Sequence, residues 1–228
     1  MKKIFPLLLI SAVALAQEGG DELAAPTANT NAHRVAAEVQ AFYDQTDTFS
    51  ARFTQTFYHG VYQRYQRSAG SFYFDKPGRM RFDYDSPNGK VIVSDGSQFT
   101  AYDPGEDGEA GQYVKAPVGD SSLPRAFGFL TGQGRILDDY RVSLLDARRY
   151  RWSGHVLELR PRTSDPRIRR ILLYVDGDAR RPGVVHRIRI DDHEGNRNKF
   201  EMRRMRFNRD LSNSRFTYSP PRNAHRIQ

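Results

Sequence analysis

The chain has 228 residues, 35 Lys+Arg against 27 Asp+Glu, a formal net charge of +8 and no cysteine. The length allows one large all-β domain or two small ones and is ample for a core. The missing thiols exclude a disulfide scaffold, a thiolate zinc site, an iron–sulfur cluster, a cysteine nucleophile and a cysteine-linked lipid anchor.

Lys2 and Lys3 precede an apolar run over residues 4–15, and Ala14-Leu15-Ala16 places small residues at the −3 and −1 positions of a processing site. This pattern predicts a signal peptide over residues 1–16, cut after Ala16, and an exported chain of net charge +6. The run is too short to serve as a comfortable membrane span. Residues 17–32 are polar, with Gly19-Gly20 and Pro26, and read as a flexible linker ahead of a domain over 33–228. Over 33–44, Val35, Val39 and Phe42 recur at spacings of four and three, with Ala36 and Ala37 alongside. That spacing predicts one amphipathic helix, with Asn29 or Asn31 as its cap.

From Phe49 onward the period changes to two. Phe53, Gln55 and Phe57 alternate with Thr54 and Thr56, Gly70, Phe72 and Phe74 with Ser71 and Tyr73, and Met80, Phe82 and Tyr84 with Arg81 and Asp83. Pro77-Gly78 and Pro87-Asn88-Gly89 read as turns, and Asp95-Gly96 as the tip of a hairpin. An acidic, Gly-rich loop (103–111) and a short strand (113–116) follow. Residues 124–130 then interrupt the pattern with Ala126, Phe127, Phe129 and Leu130, as a short apolar helix or loop. Five more strands are expected over 140–146, 155–160, 171–176, 184–191 and 198–207. The fold class is mainly β: about eleven antiparallel strands with one apolar and one charged face. Two helical segments are too few to cover such a sheet, so it is expected to curl into a barrel-like shape. Its concave side either takes a hydrophobic ligand or is filled as a core.

Charge follows position. Residues 1–140 hold 13 basic and 17 acidic side chains, and residues 141–228 hold 22 and 10. The second-half excess is nearly all arginine, and a convex basic surface on neighbouring strands is expected. No pattern for reaction chemistry accompanies it. The six histidines (33, 59, 155, 186, 193, 225) form no H-E-x-x-H, there is no G-x-S-x-G, and Thr131-Gly132-Gln133-Gly134 lacks the third glycine of a nucleotide loop. No enzyme activity, metal or cofactor is expected. Tyr62, Arg64, Tyr65 and Arg67 interleave aromatics with bases as single-strand binders do, but export argues against nucleic acid as a partner.

Several stretches resemble the outer-membrane lipoprotein carrier proteins, the LolA-like family. Phe49-Ser50-Ala51-Arg52-Phe53-Thr54-Gln55 is similar to the family's F-x-A-x-F-x-Q. The run from Gly70 through Lys76-Pro77 to Tyr84 resembles its strand, basic-Pro turn and aromatic strand. Val93-Ser94-Asp95-Gly96 matches V-S-D-G, Tyr102-Asp103-Pro104 resembles Y-x-P, and Phe216-Thr217-Tyr218-Ser219-Pro220-Pro221 resembles the closing F-x-F-x-P-P. The resemblance implies an incomplete antiparallel barrel with helices as a lid over a hydrophobic cavity. It implies a monomeric periplasmic chaperone that takes acylated lipoproteins from an inner-membrane ABC transporter and carries them to an outer-membrane acceptor or membrane surface. The alternative is a lipid- or glycolipid-binding or envelope-sensing protein of the same fold. Cavity residues are expected at Phe53, Phe72, Phe74, Met80, Phe82, Tyr84, Phe127, Phe129 and Leu130, with the lid over 124–131. By the same resemblance, Lys76 is expected to latch the lid through the carbonyls of Leu130 and Thr131.

Overall fold

In the computed structural model, the described residues are 28–105, 110–118, 127–132 and 134–227. The expected signal peptide (1–16), residues 17–27 of the expected linker, residues 106–109 of the acidic loop and residues 124–126 of the expected lid lie outside them. Helix α1 (Ala28–Asp44) begins five residues before position 33, inside the segment read as linker. Ala32 supplies the reason: it sits one turn ahead of Val35 and Ala36, and Ala32, Val35, Ala36, Val39 and Tyr43 are all fully buried on one stripe. Asn29 and Asn31 therefore lie within the helix rather than at its cap.

The strands are β1 (Thr48–His59), β2 (Arg64–Asp75), β3 (Arg79–Tyr84), β4 (Val91–Asp95), β5 (Gln98–Asp103), β6 (Gln112–Pro117), β7 (Tyr140–Leu145), β8 (His155–Pro161), β9 (Arg170–Val175), β10 (Val185–Asp191), β11 (Arg197–Phe207) and β12 (His225–Arg226). Two one-turn helices, α2 (Gly128–Thr131) and α3 (Ile136–Asp139), separate β6 from β7. All twelve strands join one sheet in the order β12-β6-β5-β4-β3-β2-β1-β11-β10-β9-β8-β7. β12 and β7 remain as ends, so the sheet is an incomplete barrel. The twelfth strand adds to the expected eleven: two residues, parallel to β6, carry too little pattern to read.

The period-two alternation sorts the faces. Phe49, Ala51, Phe53, Phe72, Phe74, Met80, Phe82, Leu157, Leu159, Ile171, Leu173, Ile188, Phe200 and Met202 are buried in one cluster, together with the α1 stripe and α2. Gly70 is required within that face: a Cβ there would lie 2.2 Å from the Asp83 carbonyl and 2.7 Å from the Phe53 ring.

The opposite, convex face corrects the expectation of a uniformly basic surface. Arg160 and Arg170 bond Glu158, and Arg170 and Arg189 bond Asp191, at 2.6–3.2 Å. Arg187 and Lys199 share Glu201. The acids alternate with the arginines across strands β8–β11, so much of the positive charge is matched in place. Arg203, Arg204 and Arg206 are exposed and make no ion pair among the described residues. A second small cluster, Val156, Leu172 and Tyr174, sits under Tyr150 and Trp152 on the same convex side. On the other half of that face, Phe216 is buried beneath Arg79, and the Arg81 side chain donates to the Arg215 carbonyl. The closing F-x-F-x-P-P segment thus straps the outside of β3 on its way to β12.

Burial pushes the Asp191 carboxyl up, but hydrogen bonds from Arg189 and Arg170 outweigh it and hold the group below the usual carboxylate range. Glu158 behaves alike: burial raises it, and Arg160 and Arg170 more than offset that. A carboxyl depressed in the folded state contributes stability above its unfolded pKa, and that contribution is lost as pH falls. Thermal unfolding followed by circular dichroism is expected to give a flat midpoint from neutral pH to about 5 and a fall below about 4. Asp191→Asn removes the acid partner of Arg189 and one of the two of Arg170, and is expected to cost about 3 kcal/mol at neutral pH, roughly 6–12 °C in the midpoint, while flattening the acid limb. An acid limb as steep as that of the parent chain would assign the pH dependence elsewhere.

Candidate functional site: an aromatic concave face under a short helical lid

The nine expected cavity residues all lie on the concave side. Alternation along β1, β2 and β3 puts Phe53, Phe72, Phe74, Met80, Phe82 and Tyr84 on the floor, and α2 with the residue before it lays Phe127, Phe129 and Leu130 over them. The centre is filled ring to ring. Phe127 meets Phe74, Phe82 and Phe200 at centroid distances of 5.7, 5.6 and 5.5 Å. Phe53 contacts Phe72, Phe82, Tyr84 and Phe200 at 5.1–6.1 Å. The concavity is thus occupied by its own lid.

Two open spaces flank this centre. One of about 370 Å³ lies beside the lid, with a floor of Phe129, Ile136, Leu159 and Ile171 and a polar rim that includes Arg135, Asp139 and Arg162. The other, about 260 Å³, opens at the far end of β1 between Phe57, Tyr84, Ile190 and Asn198. There Gln55 of the F-x-A-x-F-x-Q run donates to Asn198 Oδ1 at 2.8 Å. Burial pushes the neighbouring Tyr84 phenol well above its usual range, with the Gln55 hydrogen bond acting against it. Phe129 borders the first space and Tyr84 the second; the other seven expected residues line neither.

The lid is held by a few polar contacts, and they differ from the expected latch. The Thr131 carbonyl accepts from the backbone N–H of Gly78 at 3.1 Å. Lys76 Nζ instead donates to the carbonyls of Tyr43 and Asp44, the latter at 3.3 Å. The correction has an electrostatic reason. The last carbonyls of a helix lack partners and form its negative end, and the last turn of α1 contains no basic residue of its own. Lys76 supplies the missing cation across space. Its aliphatic stem meanwhile lies along Gly132, where an added Cβ would sit 3.2 Å from Lys76 Cδ. Gly132 ends α2 in the left-handed region, with φ 74°, and its N–H closes on the Gly128 carbonyl. Lys76 therefore touches both α1 and the lid.

The V-S-D-G run has a second role that its hairpin pattern does not disclose. Ser94 is fully buried, and its Oγ donates to the Gly78 carbonyl at 3.1 Å while accepting from the Gly96 N–H at 3.1 Å. Asp95 accepts from the N–H groups of Ser97 and Gln98 and so closes the β4–β5 turn. The β4–β5 hairpin thereby props the Pro77-Gly78 turn that holds the lid. Gln40, absent from the expected site, ties α3 to α1 by accepting from the Ile136 N–H at 2.9 Å. A buried glutamine on an apolar helix face is the available signal. Tyr43 completes the joint: its buried hydroxyl accepts from the Val185 N–H at 3.3 Å, and its ring meets Phe129 at 5.3 Å.

This arrangement is an apolar concave face packed beneath a short apolar cover. Among the described residues, no group of three or more His, Asp or Glu is placed to hold a metal ion. The family model described as outer membrane lipoprotein carrier protein LolA matches residues 44–219. The chain belongs to this family. An outer-membrane lipoprotein carrier protein of Methylibium petroleiphilum is 27% identical over 186 residues, covering 82% of this chain and 85% of that one. One from Chromobacterium violaceum is 25% identical over 223 residues, covering 97% and 96%. A crystal structure of a LolA superfamily protein from Nitrosomonas europaea aligns with a TM-score of 0.45 at 15% identity, over 82% of this chain and 97% of that one. The LolA-family match spans β1 to the closing strap, so it includes the floor strands, the Lys76-Pro77-Gly78 turn and α2.

Gly132→Ala forces a side chain into the left-handed region against the Lys76 stem, at a cost of about 1 kcal/mol. Amide hydrogen exchange is expected to show residues 130–132 opening about fivefold more often, with the β8–β11 strands unchanged. Equal protection in both chains would remove Gly132 from the lid closure.

Proposed function

We propose that this chain is a periplasmic carrier of acylated lipoproteins. It receives them from an inner-membrane ABC transporter, shields their acyl chains on the concave face, and yields them to an acceptor or membrane surface at the outer membrane. LolA-family membership supports the carrier reading. The observation that carries it in this molecule is the lid: three apolar side chains, Phe127, Phe129 and Leu130, sit on an aromatic floor but hang from a one-turn helix tied to the Pro77-Gly78 turn by the Gly78 N–H on the Thr131 carbonyl.

The energetics suit a carrier. Each acyl methylene removed from water is worth about 0.8 kcal/mol. Each lid side chain is worth roughly 1.5–3 kcal/mol when buried. The empty protein stays closed because its own rings satisfy the floor. A lipoprotein's acyl chains compete with those rings for the same surface, and the open lid then contributes its apolar side chains to the cargo. Release follows when the lid returns. Lys76 guides that return: its ammonium is held on the α1 carbonyls by a charged hydrogen bond worth about 1.5–3 kcal/mol, which fixes its stem as the surface that Gly132 packs on when the lid closes. No covalent step is required, and no acid, base or nucleophile is assigned.

Two outcomes test this. Protein purified gently from its own periplasm is expected to carry triacylated lipoprotein by native mass spectrometry, and consistently empty protein would count against the reading. Lys76→Leu is expected to take up lipoprotein normally but release it at least about tenfold more slowly to acceptor membranes. Transfer at the parent rate would remove Lys76 from the closing step.

A further inference from the structure

The β1–β2 hairpin outruns β3, its neighbour on one side, while β11 flanks β1 on the other out to Tyr58 opposite Arg197. β2 pairs with β3 only from Gly70, opposite Tyr84, whereas its pairing with β1 continues out to Arg64, opposite His59. Residues 61–67 are consequently exposed without interruption. They include the three most exposed large hydrophobic side chains among the described residues: Val61 at 72%, Tyr62 at 70% and Tyr65 at 67% of full exposure. Apolar tips of this kind mark contact sites when they cluster, and these three occupy one loop and its first strand residues.

Their chemistry selects a partner. From Thr48 to Phe74 the sequence contains no Asp or Glu, and Arg64 and Arg67 flank Tyr65. Tyr65 packs on Tyr58 at 4.8 Å, and Arg197 lies 4.1 Å above the Tyr58 ring. Among the described residues, Asp192 and Glu194 sit beside the tip on the β10–β11 turn. There the Asp192 carboxylate accepts from the N–H groups of Glu194 and Asn196 and from the Asn196 amide, and that amide also donates to the exposed Glu194 carboxylate at 3.4 Å. Tyrosine with arginine is the composition of a lipid–water boundary: the ring enters the headgroup layer while the hydroxyl and guanidinium stay with water and phosphate. The tip is also firmly based, because Gly60 N–H donates to Asn196 Oδ1 at 2.9 Å and so ties the hairpin to the β10–β11 turn. That turn and Phe57 border the 260 Å³ opening. Along β1 the tip stands eleven residues, roughly 35 Å, from the lid turn.

We propose that the tip at Val61, Tyr62 and Tyr65, with Arg64 and Arg67, docks this protein on an anionic bilayer surface and sets the 260 Å³ mouth against it. The contact is separate from the lid and stands whether or not the cargo is a lipoprotein.

Vesicle flotation tests it with the processed chain. The vesicles are phosphatidylethanolamine with about a quarter phosphatidylglycerol, and phosphatidylethanolamine alone. The parent chain is expected to float with the anionic vesicles and not with the neutral ones. Tyr62→Ser/Tyr65→Ser and Arg64→Ser/Arg67→Ser are each expected to float roughly tenfold less, with unchanged melting because every replaced side chain is exposed. The emission of the Tyr62→Trp chain is expected to blue-shift on anionic vesicles and be quenched by brominated lipid, against the Trp152 background of the parent. Flotation that is salt-sensitive but unaffected by the tyrosine pair would assign lipid contact to Arg203, Arg204 and Arg206 and overturn the proposal. Failure of the parent chain to float, or unmoved emission from bound Tyr62→Trp protein, would overturn it as well.

Discussion

An unclosed, curved sheet with an aromatic inner face cannot leave that face in water. Every other feature of this molecule answers that constraint. The face spans twelve strands in one continuous order, and β7 and β12 never meet to seal it. A closed barrel would bury its interior permanently. Here α1 covers one flank with a rigid stripe of Ala32, Val35, Ala36, Val39 and Tyr43, and the remaining floor falls to the few residues around α2. The same hydrophobic driving force therefore stabilises the fold and holds the residues around α2 over the concave face.

The Lys76-Pro77-Gly78 turn is where the parts converge. Its lysine reaches the negative end of α1, its glycine N–H takes the lid's last carbonyl, and its glycine carbonyl is held from below by Ser94. Three segments distant in sequence thus share one backbone turn. Lysine suits this place because a single ammonium can serve two adjacent carbonyls without the fixed planar geometry of a guanidinium. One side chain thus contacts both the end of α1 and the end of the lid. The far side of the sheet is built differently, with alternating arginine and carboxylate fixing strands β8–β11 as an inert backing.

Much of this is legible in the sequence, and the exceptions share a cause. Strand alternation is a local property, so Met80, Phe82 and Tyr84 announce their common face directly, as do the apolar residues of α2. The acceptor of Lys76 is not readable, because it depends on where a helix thirty residues earlier ends. Ser94 looks like part of a hairpin because its second bond crosses to another turn. The arginines of the second half read as one basic surface since their acids, Glu158, Asp191 and Glu201, lie on neighbouring strands rather than beside them in sequence. The start of α1 escapes the pattern because Ala32 is a weak element until Val35 and Ala36 place it on the buried stripe. Family resemblance supplies the lid and its basic turn, and the physical contacts reassign what that turn grips.

The most direct measurement asks which face of the sheet meets an acyl chain. A photoreactive phenylalanine analogue at Phe129, beside the 370 Å³ space, and at Thr54, on the outer face of β1, can be irradiated with bound triacylated lipoprotein. Cross-links to the acyl chains from position 129 and none from position 54 are the result expected of a lid-covered concave carrier. Equal labelling at both positions, or none at 129 with cargo demonstrably bound, would contradict it.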